Sequence, residues 1–164
     1  MLTFRRATLE DLDAITEIYN EAILHTAATF DTETKTIEEQ KTWFFDHDDK
    51  HPILVAVDCE FIVGWASLSK WSDRCAYTDT AEVSLYVKKE HRGKGIGRQL
   101  LETILREGQE AGLHTLIARI AEGNEISINL FEHEGFELIG VMKEVGRKFG
   151  RLLDVYIMQK IYDA

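Results

Sequence analysis

The chain has 164 residues and a formal net charge of −10. This length suits one domain with a substantial core, and the acidic balance argues against a general nucleic-acid-binding role. The chain has no apolar run as long as a membrane span and no signal-peptide pattern, so we expect a cytoplasmic protein without a membrane partner. Cys59 and Cys75 match no metal-binding or redox spacing and are expected to be reduced thiols.

Local patterns predict a mixed series of strands and helices along the chain. One capping pattern at Thr8 and Asp11 and another at Thr36 and Glu39 precede apolar residues at helical spacing, so two helices should follow a first strand. The elements predicted, in order, are a strand at 1–6, a helix from 8 to about 24, a helix beginning at 36, strands at 53–57, 61–68 and 81–87, a helix at 95–111, a strand at 115–120, a helix at 125–134, and strands at 138–145 and 152–161. This order favours an α/β or α+β fold with one mixed sheet and helices on its faces.

The most informative segment is a basic, glycine-rich turn at 92–97, with the sequence Arg-Gly-Lys-Gly-Ile-Gly, between the strand at 81–87 and the next helix. Such a turn directs backbone N–H groups toward one point at a helix N-terminus, which is a natural site for a diphosphate. Its glycine spacing fits neither a Walker loop nor a dinucleotide-binding fingerprint. Taken alone, the turn is also consistent with a helix start that binds nothing.

Two separated motifs carry a family resemblance. Arg92, Gly95 and Gly97 form the pattern R-x-x-G-x-G after a strand, which resembles the acetyl-coenzyme A signature of the GNAT N-acetyltransferase superfamily. The run from Asn124 to Phe136 resembles the second conserved segment of that superfamily. The resemblance implies the GNAT fold in one domain over 1–164: a single mixed, mostly antiparallel, twisted sheet with helices on both faces. Similarity to the phosphinothricin and methionine sulfoximine acetyltransferase branch lies in the stretches 18–20, 28–30, 76–77, 80–87, 145–150 and 154–159.

The resemblance implies acetyl-coenzyme A as co-substrate. The turn should bind the diphosphate, the strand before it should pair with the pantetheine arm, and Asn124 matches a position that contacts the cofactor. For Asn124 the alternative role is a helix cap, and for each basic side chain it is a solvated surface position. The implied cofactor-binding residues are Leu85, Tyr86, Val87, Arg92, Gly93, Lys94, Gly95, Ile96, Gly97, Arg98 and Asn124.

Glu82 is the candidate catalytic base. Strand alternation puts Glu82, Ser84 and Tyr86 on one face. An amine must be neutral to attack a thioester, and a carboxylate acting directly or through water can take its proton. Glu82 also matches the glutamate proposed as base in the resembled branch; the alternative is an exposed strand residue. The resemblance implies direct attack in a ternary complex, but Phe131 stands where many relatives have a tyrosine that protonates the leaving thiolate, so Tyr86, Tyr156 or water would have to substitute.

The resemblance implies a small amino-acid-like acceptor, whose carboxylate requires a cation. Arg74, in the loop before the strand at 81–87, is the candidate because a guanidinium holds a carboxylate bidentately. The implied substrate-binding residues are Phe30, as an apolar wall, with Arg74, Glu82 and Ser84. Leu153 replaces a histidine of the phosphinothricin-detoxifying relatives, so methionine sulfoximine, methionine sulfone and other amino acids stay open as acceptors.

Two other functions stay open: a protein or peptide N-acetyltransferase, and a non-catalytic acetyl-coenzyme A sensor. A homodimer is expected from the resemblance alone. His47 and His51 lie among aspartates, but a solvated helix end is favoured over a metal site, and no metal is expected. Neither cysteine has a neighbouring histidine and acid that would favour acyl-cysteine chemistry.

Overall fold

The computed structural model describes residues 1–163, which form one seven-stranded sheet flanked by helices. The predicted α/β class is confirmed. Within this range no helix combines the length and hydrophobicity needed to cross a bilayer. The elements are β1 (Leu2–Arg6), α1 (Leu12–His25), α2 (Ile37–Phe45), β2 (Ile53–Asp58), β3 (Phe61–Lys70), β4 (Thr80–Val87), α3 (Ile96–Glu110), β5 (Thr115–Ala121), α4 (Glu125–His133), β6 (Glu137–Lys148) and β7 (Arg151–Ile161).

The sheet divides at its centre, between β4 and β5. The strand order is β1-β2-β3-β4-β5-β7-β6, in which β4 and β5 are parallel and the other neighbours are antiparallel. These two strands pair only over Thr80 to Glu82 on β4 and Thr115 to Ile117 on β5, although both strands continue further. The sheet therefore opens into a cleft beyond Glu82.

Apolar clusters on both faces of the sheet hold β4 in place. On one face, α3 buries Leu100 and Ile104 in a cluster that includes Val83 of β4. On the other face, α1 packs against Trp65 of β3, and Tyr86 of β4 joins this second cluster. The alternation predicted for β4 is therefore confirmed. Burial of its apolar positions fixes the register, so the polar positions must face the side of α1.

The first helix begins later than the sequence predicts. Thr8 and Asp11 form the predicted capping box, but this box encloses a 3₁₀ turn, and α1 begins only at Leu12. The reason lies in the Asp11 carboxylate, which accepts the Thr8 N–H at 2.7 Å and also two N–H groups of Arg5 at 2.7 and 2.9 Å. These bonds hold the turn tight and tie α1 to β1.

The last turn of the chain is shorter than the predicted span of 146–150. Gly146, Arg147 and Lys148 still pair with β7, so only Phe149 and Gly150 make the reversal. Both have positive φ, at 53° and 74°. This is the conformation of the two-residue hairpin turns whose twist matches that of the flanking strands. Lys148 is thereby placed within β6 rather than in a loop.

Candidate active site

A cavity of about 550 Å³ occupies the cleft between β4 and β5. Residues 82–86 of β4 and 118–121 of β5 form its two walls, and the loop 27–31 also lines it. Asn124 and side chains from β6 and β7 complete the lining. The cavity thus brings together Phe30, Glu82, Ser84, Leu85, Tyr86 and Asn124 from the set that the sequence predicts.

The β5-facing edge of β4 has free backbone groups in this cavity. Leu85, Tyr86 and Val87 pair with β3 on one side. On the other side, the pairing with β5 stops at Glu82. Backbone N–H and C=O groups on that edge therefore face the cleft without a partner strand. An extended, amide-rich ligand could add to the sheet there in the manner of a further strand.

The turn that follows β4 presents a second set of free donors. Gly93 and Gly95 have φ values of 78° and 80°, which only glycine adopts without strain, and Gly95 is the N-cap of α3. Within residues 1–163, the first backbone N–H of α3 with an acceptor is that of Gln99, which bonds Gly95 at 3.1 Å. The N–H groups of residues 93–98 donate to no protein atom in that range. Free N–H groups at a helix N-terminus suit an anion, and binding of a diphosphate at this turn stays a prediction.

The basic side chains of this segment divide into two groups. Arg92 donates to the Val87 carbonyl at 3.1 Å and lies 3.5 Å from a Glu21 carboxylate oxygen. Arg98 donates to Glu102 at 2.9 Å. These two arginines stabilise the turn and the helix locally. Lys88, Lys89 and Lys94 have no ion pair among residues 1–163, so their charges are not neutralised by a neighbouring carboxylate.

Glu82 makes a bidentate ion pair with Arg119 of β5. The guanidinium Nε and Nη2 donate to the two carboxylate oxygens at 2.5 and 2.8 Å. The pairing raises the pKa of Arg119. Local sequence patterns do not reveal the role of Arg119, because the two residues are 37 positions apart and meet only through the parallel pairing of β4 and β5. The available signal was that Arg119 is the one charged residue in the otherwise uncharged strand 115–121.

A partly buried polar cluster also borders the cavity. The Tyr19 hydroxyl donates to Asp31 and lies 2.9 Å from the Thr29 hydroxyl. Lys148, only 5% exposed, donates to the Thr29 carbonyl at 2.7 Å. Burial raises the pKa of Tyr19 and of Tyr86, and it lowers the pKa of Lys148. Sequence patterns do not reveal this cluster, since it joins residues up to 119 positions apart.

Of the predicted acceptor-binding residues Phe30 and Arg74, only Phe30 lines the cavity. Phe30, 37% exposed, lies in the lining. Arg74 is exposed at the start of a 3₁₀ turn at Cys75–Tyr77 and does not belong to the cavity lining. Its role in binding an acceptor stays a prediction.

Asn124 and Phe131 belong to the helix that closes one end of the cavity. The Asn124 side chain accepts the Ser127 N–H at 3.3 Å as the N-cap of α4, so the capping role considered for it is observed, and it also lines the cavity. Phe131 is 4% exposed and packs edge-to-face against Phe136. This position offers no proton donor.

His47, His51 and the two cysteines have partners or positions that do not suggest catalysis. His47 bonds the Trp43 carbonyl and the Ser69 hydroxyl, and His51 bonds Asp48. Within residues 1–163 no group of three or more potential ligands could hold a metal ion. The two cysteines are exposed and form no disulfide, in the loops after β2 and β3.

Comparison with known proteins connects this site to a family. Residues 4–157 match the acetyltransferase (GNAT) domain. The L-methionine sulfoximine/L-methionine sulfone acetyltransferase of Salmonella typhimurium is 38% identical over 159 residues, covering 96% of this chain and 93% of the relative. A GNAT superfamily phosphinothricin acetyltransferase from Sinorhizobium meliloti, solved in complex with AcCoA, is 37% identical with a TM-score of 0.94, covering 98% of this chain and 88% of that chain. A ribosomal-protein-alanine N-acetyltransferase structure from Brucella melitensis is 40% identical with a TM-score of 0.94, covering 98% and 99% of the two chains. The chain therefore belongs to the GNAT acetyltransferase family, in its phosphinothricin and methionine sulfoximine acetyltransferase branch.

Proposed function

We propose that this protein transfers the acetyl group of acetyl-coenzyme A to the α-amino group of a small amino-acid-like acceptor. The observation that carries the proposal is the Glu82 carboxylate inside the cleft, beside a free β4 edge that leads to the turn at 93–98. Relatives named for methionine sulfoximine, methionine sulfone and phosphinothricin support this class of acceptor. Membership of the GNAT family makes the chain an acyltransferase.

The cleft and the turn fit the chemistry of coenzyme A. A diphosphate needs N–H donors and positive charge, which residues 93–98 with Lys88, Lys89 and Lys94 offer. Pantetheine amides need backbone partners, which the free edge of β4 offers beyond Glu82. When bound, acetyl-coenzyme A supplies the activated acetyl thioester. The relative from Sinorhizobium meliloti was solved with AcCoA, which supports the same co-substrate here.

Glu82 acts in this proposal as the base for the acceptor amine. The ammonium gives a proton to Glu82, directly or through water, and the freed lone pair forms the new N–C bond. The thioester C–S bond breaks, and sulfur keeps the electron pair as a thiolate. The nitrogen releases a second proton as the amide forms, and one of the two protons ends on the thiolate. Direct attack requires both substrates in one ternary complex, in which a free β4 N–H stabilises the oxyanion.

The proton for the leaving thiolate is assigned to the reacting nitrogen, which releases two protons, and water carries one of them to the sulfur. Phe131 cannot supply it, and Tyr156 does not line the cavity. Tyr86 lines the cavity, but burial raises the pKa of its hydroxyl. A thiol has a pKa of about 8.5, well below that of an ordinary tyrosine at about 10, so proton transfer from Tyr86 to the thiolate would be uphill.

The proposed function is tested by thiol release from acetyl-coenzyme A over a panel of acceptors. The panel holds methionine sulfone, methionine sulfoximine, phosphinothricin, ordinary L-amino acids, polyamines and short peptides with a free N-terminus. We expect kcat/KM to be highest for one or more of the free amino acids. Tight acetyl-coenzyme A binding without turnover of any acceptor would identify a sensor and contradict the proposal.

A peptide acceptor is the second candidate. The relative from Brucella melitensis, 40% identical, is a ribosomal-protein-alanine N-acetyltransferase by name, and this favours a protein N-terminus as substrate. A peptide acceptor would require an open, acidic groove. The cavity favours the smaller acceptor, because Arg119 pairs with Glu82 and leaves Asp31 as the only other charged lining residue in the part of the chain that the structure describes. Peptides turned over faster than free amino acids in the same panel would decide for this candidate.

We further propose one GNAT domain that forms a homodimer in the cytoplasm and binds neither nucleic acid nor membrane. A patch of exposed apolar side chains on the edge strand β6 and its turn supports the dimer, since such patches are typical of protein interfaces. Exposed cysteines without a disulfide suit a reducing compartment, and the net charge of −10 disfavours polyanions. The patch consists of Leu138, Ile139, Val141, Val145 and Phe149.

Replacing Gly146 by alanine should weaken acceptor binding through Phe30. A Cβ at Gly146 would overlap the Phe30 ring, which lies directly over the glycine, so the ring must move within the cavity. We expect the acceptor KM to rise by roughly tenfold, equivalent to about 1.4 kcal/mol, with the acetyl-coenzyme A KM unchanged. Gly140→Ala is the matched control, because a Cβ at Gly140 of the same strand meets nothing within 4 Å. An unchanged acceptor KM in Gly146→Ala would show that Phe30 does not contact the acceptor.

A further inference from the structure

The cavity has one cationic side chain in its lining, as far as residues 1–163 describe it. This side chain is Arg119, which is half exposed toward the cavity. Its guanidinium lies over the ring of Trp71, with Cζ 5.6 Å from the ring centroid. The contact with Trp71 and the pairing with Glu82 both restrict the guanidinium.

Arg119 uses only part of its donor capacity. A guanidinium has five N–H donors arranged around a plane. Glu82 takes the edge formed by Nε and Nη2, and within residues 1–163 the Nη1 group has no acceptor. The second edge, formed by Nη1 and the remaining hydrogen of Nη2, is therefore free. Its geometry matches a second carboxylate, since an arginine can hold two planar anions on different edges.

We propose that Arg119 binds the α-carboxylate of the acceptor on this free edge, while Glu82 receives the α-ammonium group. The inference rests on the proposed function and identifies the residue that selects α-amino acids at that site. The two charged groups of an α-amino acid share one carbon, so they require a cation and an anion side by side. The Arg119–Glu82 pair is such an arrangement, with the carboxylate that takes the proton next to the guanidinium that anchors the acceptor.

Arg119 suits this role better than Arg74, the cation predicted from the sequence. Arg74 is exposed and outside the cavity lining. Arg119 shares the cavity with Glu82 and Phe30. The pairing with Glu82 also raises the pKa of Arg119, which favours its charged form.

The test compares two acceptors that differ only in the carboxylate: methionine sulfone and its carboxamide. The measured quantity is the ratio of their kcat/KM values in the wild type and in Arg119→Met. We expect the wild type to prefer the carboxylate and the ratio to fall by about 10- to 100-fold in the variant, the loss of a charge-assisted bidentate contact. A role confined to positioning Glu82 would lower both kcat/KM values equally and leave the ratio unchanged, which would overturn the proposal.

Two further variants sharpen the comparison. Arg106→Met removes an exposed cation of α3 and should leave the ratio as in the wild type. Arg74→Met is the competing variant: if it abolishes the preference and Arg119→Met does not, then Arg74 holds the carboxylate and the proposal is overturned. Retained acetyl-coenzyme A affinity shows that each variant is folded. A wild type that acetylates neither compound, yet acetylates peptides, contradicts the proposed function itself rather than the choice of arginine.

Discussion

Replacing Glu82 by glutamine should lower kcat/KM for an amino-acid acceptor by about 100- to 1000-fold, while the affinity for acetyl-coenzyme A stays within about twofold. Glutamine keeps the shape of the side chain and one acceptor oxygen for Arg119, so the cavity should stay intact. What it removes is the lone pair that takes the proton of the ammonium. The loss should therefore appear in catalysis and not in binding of the cofactor, whose contacts are proposed along 83–98.

The pH dependence distinguishes a base from a structural residue. Without Glu82, the reaction must wait for amine that solution has already deprotonated, so the activity of the variant should recover steadily as pH rises. The measurement is kcat/KM by thiol release across pH, together with equilibrium binding of acetyl-coenzyme A. Glu38→Gln is the matched control, since Glu38 is an exposed carboxylate of α2 that pairs with Lys41. Turnover by Glu82→Gln equal to that of the wild type at every pH would exclude Glu82 as the base.

The sequence predicted those parts of the site whose signals are local. The β4 alternation, the glycine turn and the start of α3 lie within one stretch, 80–98, and each follows from strand periodicity or helix-capping chemistry. The position of Glu82 on the polar face of β4 could be predicted for the same reason.

Other parts depend on contacts that no local pattern encodes. Arg119 meets Glu82 only because β4 and β5 are parallel neighbours that separate after three residue pairs. The contact of Lys148 with Thr29 joins β6 to the loop after α1. The motif predicts that Arg92 binds the cofactor. In the structure, however, its side chain donates to the Val87 carbonyl and lies near the Glu21 carboxylate. An Arg92→Glu variant would therefore disturb the turn itself, and a glycine of the turn is the better probe of phosphate binding.

Replacing Gly95 by aspartate should weaken acetyl-coenzyme A binding by about 100-fold or more, equivalent to roughly 2.7 kcal/mol. The new carboxylate would lie at the N-cap of α3, where a side chain at Gly95 meets nothing closer than 4.0 Å. There it would compete with the cofactor diphosphate for the free N–H groups of the turn and repel it. Binding is measured by titration calorimetry, and the thermal midpoint is recorded for each variant.

Two comparisons separate charge from backbone strain in this experiment. Gly95→Asn imposes the same φ of +80° on a side chain of equal size without the charge, so its affinity should fall by only about tenfold. Gly112→Asp places the same charge at a glycine with φ +91° beyond the other end of α3, and it should lose stability but keep its affinity. Equal losses in Gly95→Asp and Gly95→Asn would mean that strain alone is responsible and that the phosphates do not lie at the turn. A larger loss of affinity in Gly95→Asp than in Gly95→Asn, together with unchanged affinity in Gly112→Asp, would locate the negative charge of the ligand at the N-terminus of α3.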